Sequence, residues 1–138
     1  YHAQIQGFEV ENRYRFPTND LRLAHLKVFY TYVDASLVNS DQSNFSRYAL
    51  DNLRHQALVQ LDGQVTDRLN YSVTGRYLDR VNLDDYALLD AQFQYQLSKM
   101  QIWFQVNNIT NEKYTETSGV PMPGRWYNGG LSVRLIHD

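Results

Sequence analysis

An all-β chain is predicted, an antiparallel sheet forming the wall of a transmembrane β-barrel, and three observations carry that expectation. Apolar and polar residues alternate with a period of two along nearly the whole chain, which is the pattern of strands with one dry and one wet face. Tyrosine is abundant, with 11 Tyr and 14% aromatic residues, a composition that suits pleated, half-wet surfaces better than helix bundles. The polar faces carry Gln, Asn, Ser, Thr, Asp and Arg in strand after strand, whereas a small soluble barrel fills its interior with apolar side chains.

The totals exclude several classes. With 138 residues the length is that of one domain, and a net charge of -2 with no basic run argues against nucleic acid as a partner. No cysteine is present, so disulfides, thiol nucleophiles and thiolate metal sites are excluded. No apolar run approaches the ~18 residues of a spanning helix. A mean hydropathy of -0.55 is still compatible with a membrane barrel, in which only alternate residues face lipid. Tyr1-His2-Ala3-Gln4 falls inside an alternating pattern, so the chain is expected to begin within a longer protein.

Taken in order, the first strand is expected over Gln6 to Phe16, with Phe8, Val10, Tyr14 and Phe16 opposite Gly7, Glu9, Glu11, Arg13 and Arg15. Pro17-Thr18-Asn19-Asp20 supplies a compact turn, since proline fixes φ and Asn and Asp bond back to their own backbone. The second strand runs from Leu21 to about Ser36, with Ala24, Leu26, Val28, Tyr30 and Tyr32 on one face. Residues 37–53 lose the alternation and are expected to form a long loop. The third strand, Arg54 to Thr66, sets Ala57, Val59, Leu61 and Val65 against Gln56, Gln60, Asp62 and Gln64. A tight turn at Asp67-Arg68 leads to the fourth, Leu69 to Arg80, in which Tyr71, Val73 and Tyr77 oppose Ser72, Thr74 and Arg76. In the fifth, Ala87, Leu89, Ala91, Phe93 and Tyr95 oppose Asp90, Gln92, Gln94 and Gln96. The sixth sets Met100, Ile102, Phe104 and Val106 against Gln101, Trp103, Gln105 and Asn107. After a second long loop at 109–124, Tyr127, Leu131, Val133 and Leu135 define the seventh. Short and long connections alternate, as in outer-membrane barrels with short periplasmic turns and long external loops.

The second long loop carries two motifs. Asn108, Ile109, Thr110, Asn111, Lys113 and Tyr114 form the first, and Gly119, Pro121, Pro123, Gly124 and Arg125 the second. This strand, loop and closing strand resemble the C-terminal end of TonB-dependent outer-membrane receptors. There an Asn-Leu-Phe/Thr-Asn/Asp-Lys-x-Tyr box is followed by Gly-x-Pro-x-Pro-Gly-Arg and the last barrel strand. The resemblance implies that residues 1–138 are the last seven or so strands of a 22-stranded barrel whose plug and earlier strands lie outside this chain. It also implies a site in the outer membrane of a Gram-negative bacterium, with the loops at 37–53, 81–84 and 109–124 outside the cell. The chain departs from the family at its end, where Ile136-His137-Asp138 stands in place of a terminal aromatic residue.

What the resemblance implies functionally is energised import without covalent chemistry. The cargo would be a metal chelate (ferric siderophore, haem or cobalamin), bound as a transported ligand and not as a covalent cofactor. The partners would be the TonB-ExbB-ExbD complex, acting through the plug, together with outer-membrane lipid and, in some relatives, an accessory surface lipoprotein. Cargo contact is assigned to loop residues Asn44, Phe45, Arg47, Tyr48, Met122 and Trp126. Within the boxes, Arg125 is expected to lock the loop or touch the plug by charge-assisted hydrogen bonds. No Ser/His/Asp arrangement has motif context, so no enzyme is expected. His2, His25, His55 and His137 lack ligand spacing, so no metal site is expected either. Two other readings fit the alternation: a soluble β-barrel that binds a small ligand, and a porin-like diffusion channel without plug or TonB.

Overall fold

The computed structural model describes residues 2–17, 23–38, 53–117 and 119–135. They form strands and connections without a helix. Seven strands build one antiparallel sheet in chain order: β1 (His2–Arg15), β2 (Leu23–Val38), β3 (Leu53–Thr66), β4 (Leu69–Arg80), β5 (Tyr86–Gln96), β6 (Met100–Asn107) and β9 (Trp126–Val133). Two short strands, β7 (Thr115–Thr117) and β8 (Val120–Pro121), pair as a hairpin within the last long loop. The sheet is open, with β1 and β9 as its two edges.

The connections follow from local chemistry. At the β3–β4 turn, Thr66 Oγ1 accepts from the backbone N–H groups of Arg68 (3.3 Å) and Leu69 (3.1 Å), a hydroxyl-capped turn. Asn82 takes φ 64° between β4 and β5, a left-handed conformation that asparagine tolerates better than most residues. Leu97 and Met100 exchange backbone hydrogen bonds (2.7 and 3.3 Å) around Ser98-Lys99, which fixes the β5–β6 register.

Register then carries the alternation across the sheet. Leu26, Leu61, Val73, Ala91, Val106 and Tyr127 are successive cross-strand partners and form one apolar row. The neighbouring positions give a polar row of Asp62, Ser72, Gln92, Gln105 and Asn128. One face is therefore apolar from edge to edge and largely exposed, with Phe8 at 56%, Val59 at 46%, Phe93 at 42% and Leu131 at 59%. The opposite face is wet, except at one end.

There Leu78, Tyr86 and Leu88 are buried on the otherwise polar face, with Leu53 and Tyr114 packed against them. Leu53 reaches this cluster because the β3–β4 register shifts between Leu53 and His55. The long loop after β6 covers the cluster, and this small core is what seats the loop on the sheet.

Candidate functional site

The loop from Asn108 to Arg125 is built around two asparagines in left-handed backbone conformations, Asn108 at φ 51° and Asn111 at φ 58°. Asn108 is 2% exposed and bonded on every side. Its Oδ1 accepts from the Glu112 N–H (2.8 Å) and from Thr110 Oγ1 (3.3 Å). Its Nδ2 donates to the carbonyl of Glu112 (2.9 Å) and, at 3.5 Å, to that of Pro123. Its own N–H donates to Asp90 Oδ1 (2.8 Å) on β5. Asn111 completes the arrangement: its N–H donates to the Asn108 carbonyl (2.9 Å), and its Oδ1 accepts from the Arg125 N–H (2.9 Å).

The two sequence boxes are thus fastened to each other. Asn108 reaches Pro123, Asn111 reaches Arg125, and Gly124 between them leaves room for the Asn111 side chain. A Cβ at Gly124 would lie 2.5 Å from Asn111 Oδ1. Arg125 is held by its backbone N–H and its side chain is exposed, so its part in the lock is made by main chain.

Below the lock, Asp90 joins loop to sheet. Its Oδ1 accepts from Asn108, and its Oδ2 accepts from Arg76 Nη2 at 2.7 Å. No motif in the sequence marks this pair; the available signal is an Arg and an Asp on the polar face of neighbouring strands. Above the lock, the Tyr114 ring packs on Tyr86 with centroids 4.5 Å apart, and Tyr86 Oη donates to Glu116 Oε1 at 3.2 Å. The Tyr114 carbonyl accepts from the Met122 N–H (2.9 Å), which closes the base of the β7–β8 hairpin. Burial, with the Glu116 charge adding to it, raises the Tyr114 phenol above its ordinary value.

A cavity of about 250 Å3 lies between this hairpin and the β4–β5 connection, lined by Asp84, Asp85, Tyr86, Lys113, Tyr114 and Met122, among others. Of the residues assigned to cargo contact, Met122 lines this cavity. Trp126 stands at the first position of β9, opposite Asn107 and 47% exposed. Gly119 sits at the hairpin tip with φ 80°, and Pro121 pairs with Thr115. Asn44, Phe45, Arg47 and Tyr48 lie outside the described residues. Among the described residues, no three His, Asp or Glu side chains gather where they would hold a metal ion. His55 Nδ1 is instead 2.7 Å from Tyr30 Oη, on the apolar face.

Compared with known proteins, the chain matches no family model and no curated protein.

Proposed function

We propose that this chain is the C-terminal portion of the wall of a TonB-dependent receptor in the outer membrane of a Gram-negative bacterium. In that role it takes part in active import of a metal chelate, a ferric siderophore, haem or cobalamin. The observation that carries the reading is the interlock of the two boxes. Residues that resemble a family signature are also those that hold the last long loop, through Asn108 to Pro123 and Asn111 to Arg125. The apolar face supports it, because a continuous exposed apolar surface across seven strands needs lipid or another cover. The same face weighs against a soluble ligand-binding barrel, in which the apolar side would be turned inward.

The wall acts by position. It lets its apolar side chains meet lipid, turns amides and hydroxyls inward, and carries the loop whose hairpin and cavity face incoming cargo. TonB-ExbB-ExbD would act through a plug outside this segment, and an accessory lipoprotein would meet the external loops. The test is fractionation followed by uptake. The native gene product should be found in the outer membrane, resist salt extraction and have a mass several times that of this chain. Its deletion should abolish uptake of one chelate in a TonB-dependent manner. A free species of about this chain's 16.2 kDa in the soluble fraction would overturn the reading. Uptake that persists without TonB would turn it toward a diffusion channel.

A further inference from the structure

The apolar face is not flat. Across β3 to β5 it carries a notch of about 350 Å3, lined by Ala57, Val59, Gly75, Tyr77, Ala87 and Leu89, among others. Register explains the hollow. Val59, Gly75 and Leu89 form one cross-strand row, and Ala57, Tyr77 and Ala87 form the next. With no side chain at Gly75, the surface sinks between Val59 and Leu89. A Cβ added at Gly75 would meet nothing nearer than the Val59 carbonyl oxygen at 4.0 Å, so no close packing demands glycine there. The space opens outward, beside the exposed side chains of Val59 and Leu89.

One alternating step toward the β4–β5 connection, about 7 Å along the strands, the apolar side chains give way to a polar row. His55 and Asp79 are cross-strand partners there, and Asp79 Oδ2 lies 3.9 Å from Arg54 Nη1. Tyr77, which lines the notch, turns its hydroxyl toward the same end and donates to Asp85 Oδ2 at 2.9 Å. Tyr30, the partner of Ala57 on β2, has its Oη 2.7 Å from His55 Nδ1. An apolar slot that ends on hydrogen-bonding groups is the complement of an amphiphile, with a chain in the slot and a headgroup at the row.

The charges select the headgroup. The carboxylates of Asp79 and Asp85 share this end with the guanidinium of Arg54, which Asp79 meets only at 3.9 Å. Asp85 accepts from a neutral phenol and is exposed. A headgroup whose only charge is a phosphate would bring a further anion to these carboxylates. One with an ammonium beside its phosphate meets both signs, donating to Asp85 and accepting from Arg54. A second copy of the chain is poorly suited. In a bilayer it would be related by an axis along the membrane normal, which sets Asp79 and Asp85 of one copy at the level of those of the other.

We infer that the notch over Gly75 is a specific lipid site. It takes one acyl chain of a membrane lipid with a phosphoethanolamine headgroup, with Asp85 accepting from the ammonium and Arg54 donating to the phosphate. Thr110 also lines the notch and donates from Oγ1 to Asn108 Oδ1 at 3.3 Å, so a bound lipid would back onto the base of the last long loop. The inference rests on the proposed reading in one respect, that the apolar face meets a bilayer.

The experiment is native mass spectrometry of the delipidated full-length protein in detergent, titrated with dioleoyl phosphatidylethanolamine and, separately, with dioleoyl phosphatidylglycerol. Phosphatidylethanolamine should fill a first site about tenfold more tightly than phosphatidylglycerol. Gly75→Val fills the notch with a residue that strands favour, and it should weaken that first site about tenfold. Asp85→Asn can still accept from Tyr77 but carries no charge, so it should erase the preference between the two headgroups. It carries the test if Gly75→Val fails to give wild-type circular dichroism. The inference is overturned if the two lipids bind the folded wild type alike, if folded Gly75→Val protein binds phosphatidylethanolamine as wild type does, or if Asp85→Asn keeps the preference. A dimer that Gly75→Val converts to a monomer would also overturn it, because a second copy would then occupy the notch. Fractionation decides the receptor reading separately, so a membrane-resident protein that shows no headgroup preference defeats this inference alone.

Discussion

Asn108 combines a left-handed backbone with a side chain sealed from solvent, and few residue types meet both demands. Alanine keeps neither the amide nor an easy φ of 51°. Asn108→Ala removes the hydrogen bonds to Thr110, Glu112 and Pro123 and adds the left-handed penalty. At about 1 kcal/mol for each good hydrogen bond and about 1 kcal/mol for the backbone, the cost is about 3 kcal/mol. Asn108→Asp keeps the Oδ1 acceptor and should cost less. Denaturant unfolding of the full-length protein in lipid ranks the two, and equal stabilities would refute the side-chain account. Gly124→Ala acts from the other side of the lock. Its Cβ would displace the Asn111 side chain and release the Arg125 N–H, for a loss of about 1–2 kcal/mol. If Asn111 is the group displaced, Gly124→Ala combined with Asn111→Ala should cost less than the sum of the two single changes, as a double-mutant cycle would measure.

The loop divides into a lock and a hairpin, and the two should separate experimentally. Replacing residues 116–120 with a short Gly-Ser link leaves Asn108, Asn111 and residues 123–125 in place. Such a protein should assemble normally while taking up less cargo. A deletion that extends through Arg125 removes the Pro123 and Arg125 partners and should also leave the whole segment open to protease. Equal protease resistance of the two deletions would show that the lock does not hold the loop. The raised Tyr114 phenol adds a pH signature. Below the ordinary tyrosine value of 10.0 its contribution is fully present, and it is lost as pH rises through the higher folded value. Loop protection should therefore be flat up to about pH 10 and fall above it, and Tyr114→Phe should shallow that fall. The six long strands from β1 to β6 and the last strand were legible in sequence because a period of two is a strong signal and every strand has a wet face. The β3–β4 turn and the Ser98-Lys99 hairpin were legible for the same reason. The small core was not, since Leu78, Tyr86 and Leu88 occupy positions whose neighbours along the strand, Arg76, Arg80 and Asp90, read as polar. The β7–β8 hairpin was hidden too, because strands of three and two residues carry no periodicity. The boxes were visible as motifs, but the lock between Asn111 and Arg125 spans 14 residues and depends on backbone geometry that no local pattern encodes.

The sheet as a whole poses a problem that its own residues do not solve. Among the described residues, β1 presents an unpaired edge 14 residues long, β9 a second edge of 8, and nothing covers the apolar face between them. In lipid each unsatisfied backbone group costs several kcal/mol, so an open sheet of this kind does not span a bilayer alone. In water the same edges template pairing with other chains, and the apolar face favours association. Strands contributed by the rest of a barrel would solve both problems together. They would pair with the outer edges of β1 and β9 and bring the apolar face to lipid on one closed surface. Residues 1–138 produced alone should therefore collect as insoluble, β-rich aggregate. The same residues within the full-length protein should be extracted by detergent as a monodisperse species. Amide exchange in that species should show slow exchange along the outward N–H groups of β1, as paired strands require, whereas the isolated segment held in mild denaturant should exchange them freely. A soluble, monodisperse monomer of residues 1–138 with protected β1 amides would mean that the edges are satisfied without partners, and the membrane-wall reading would then fail.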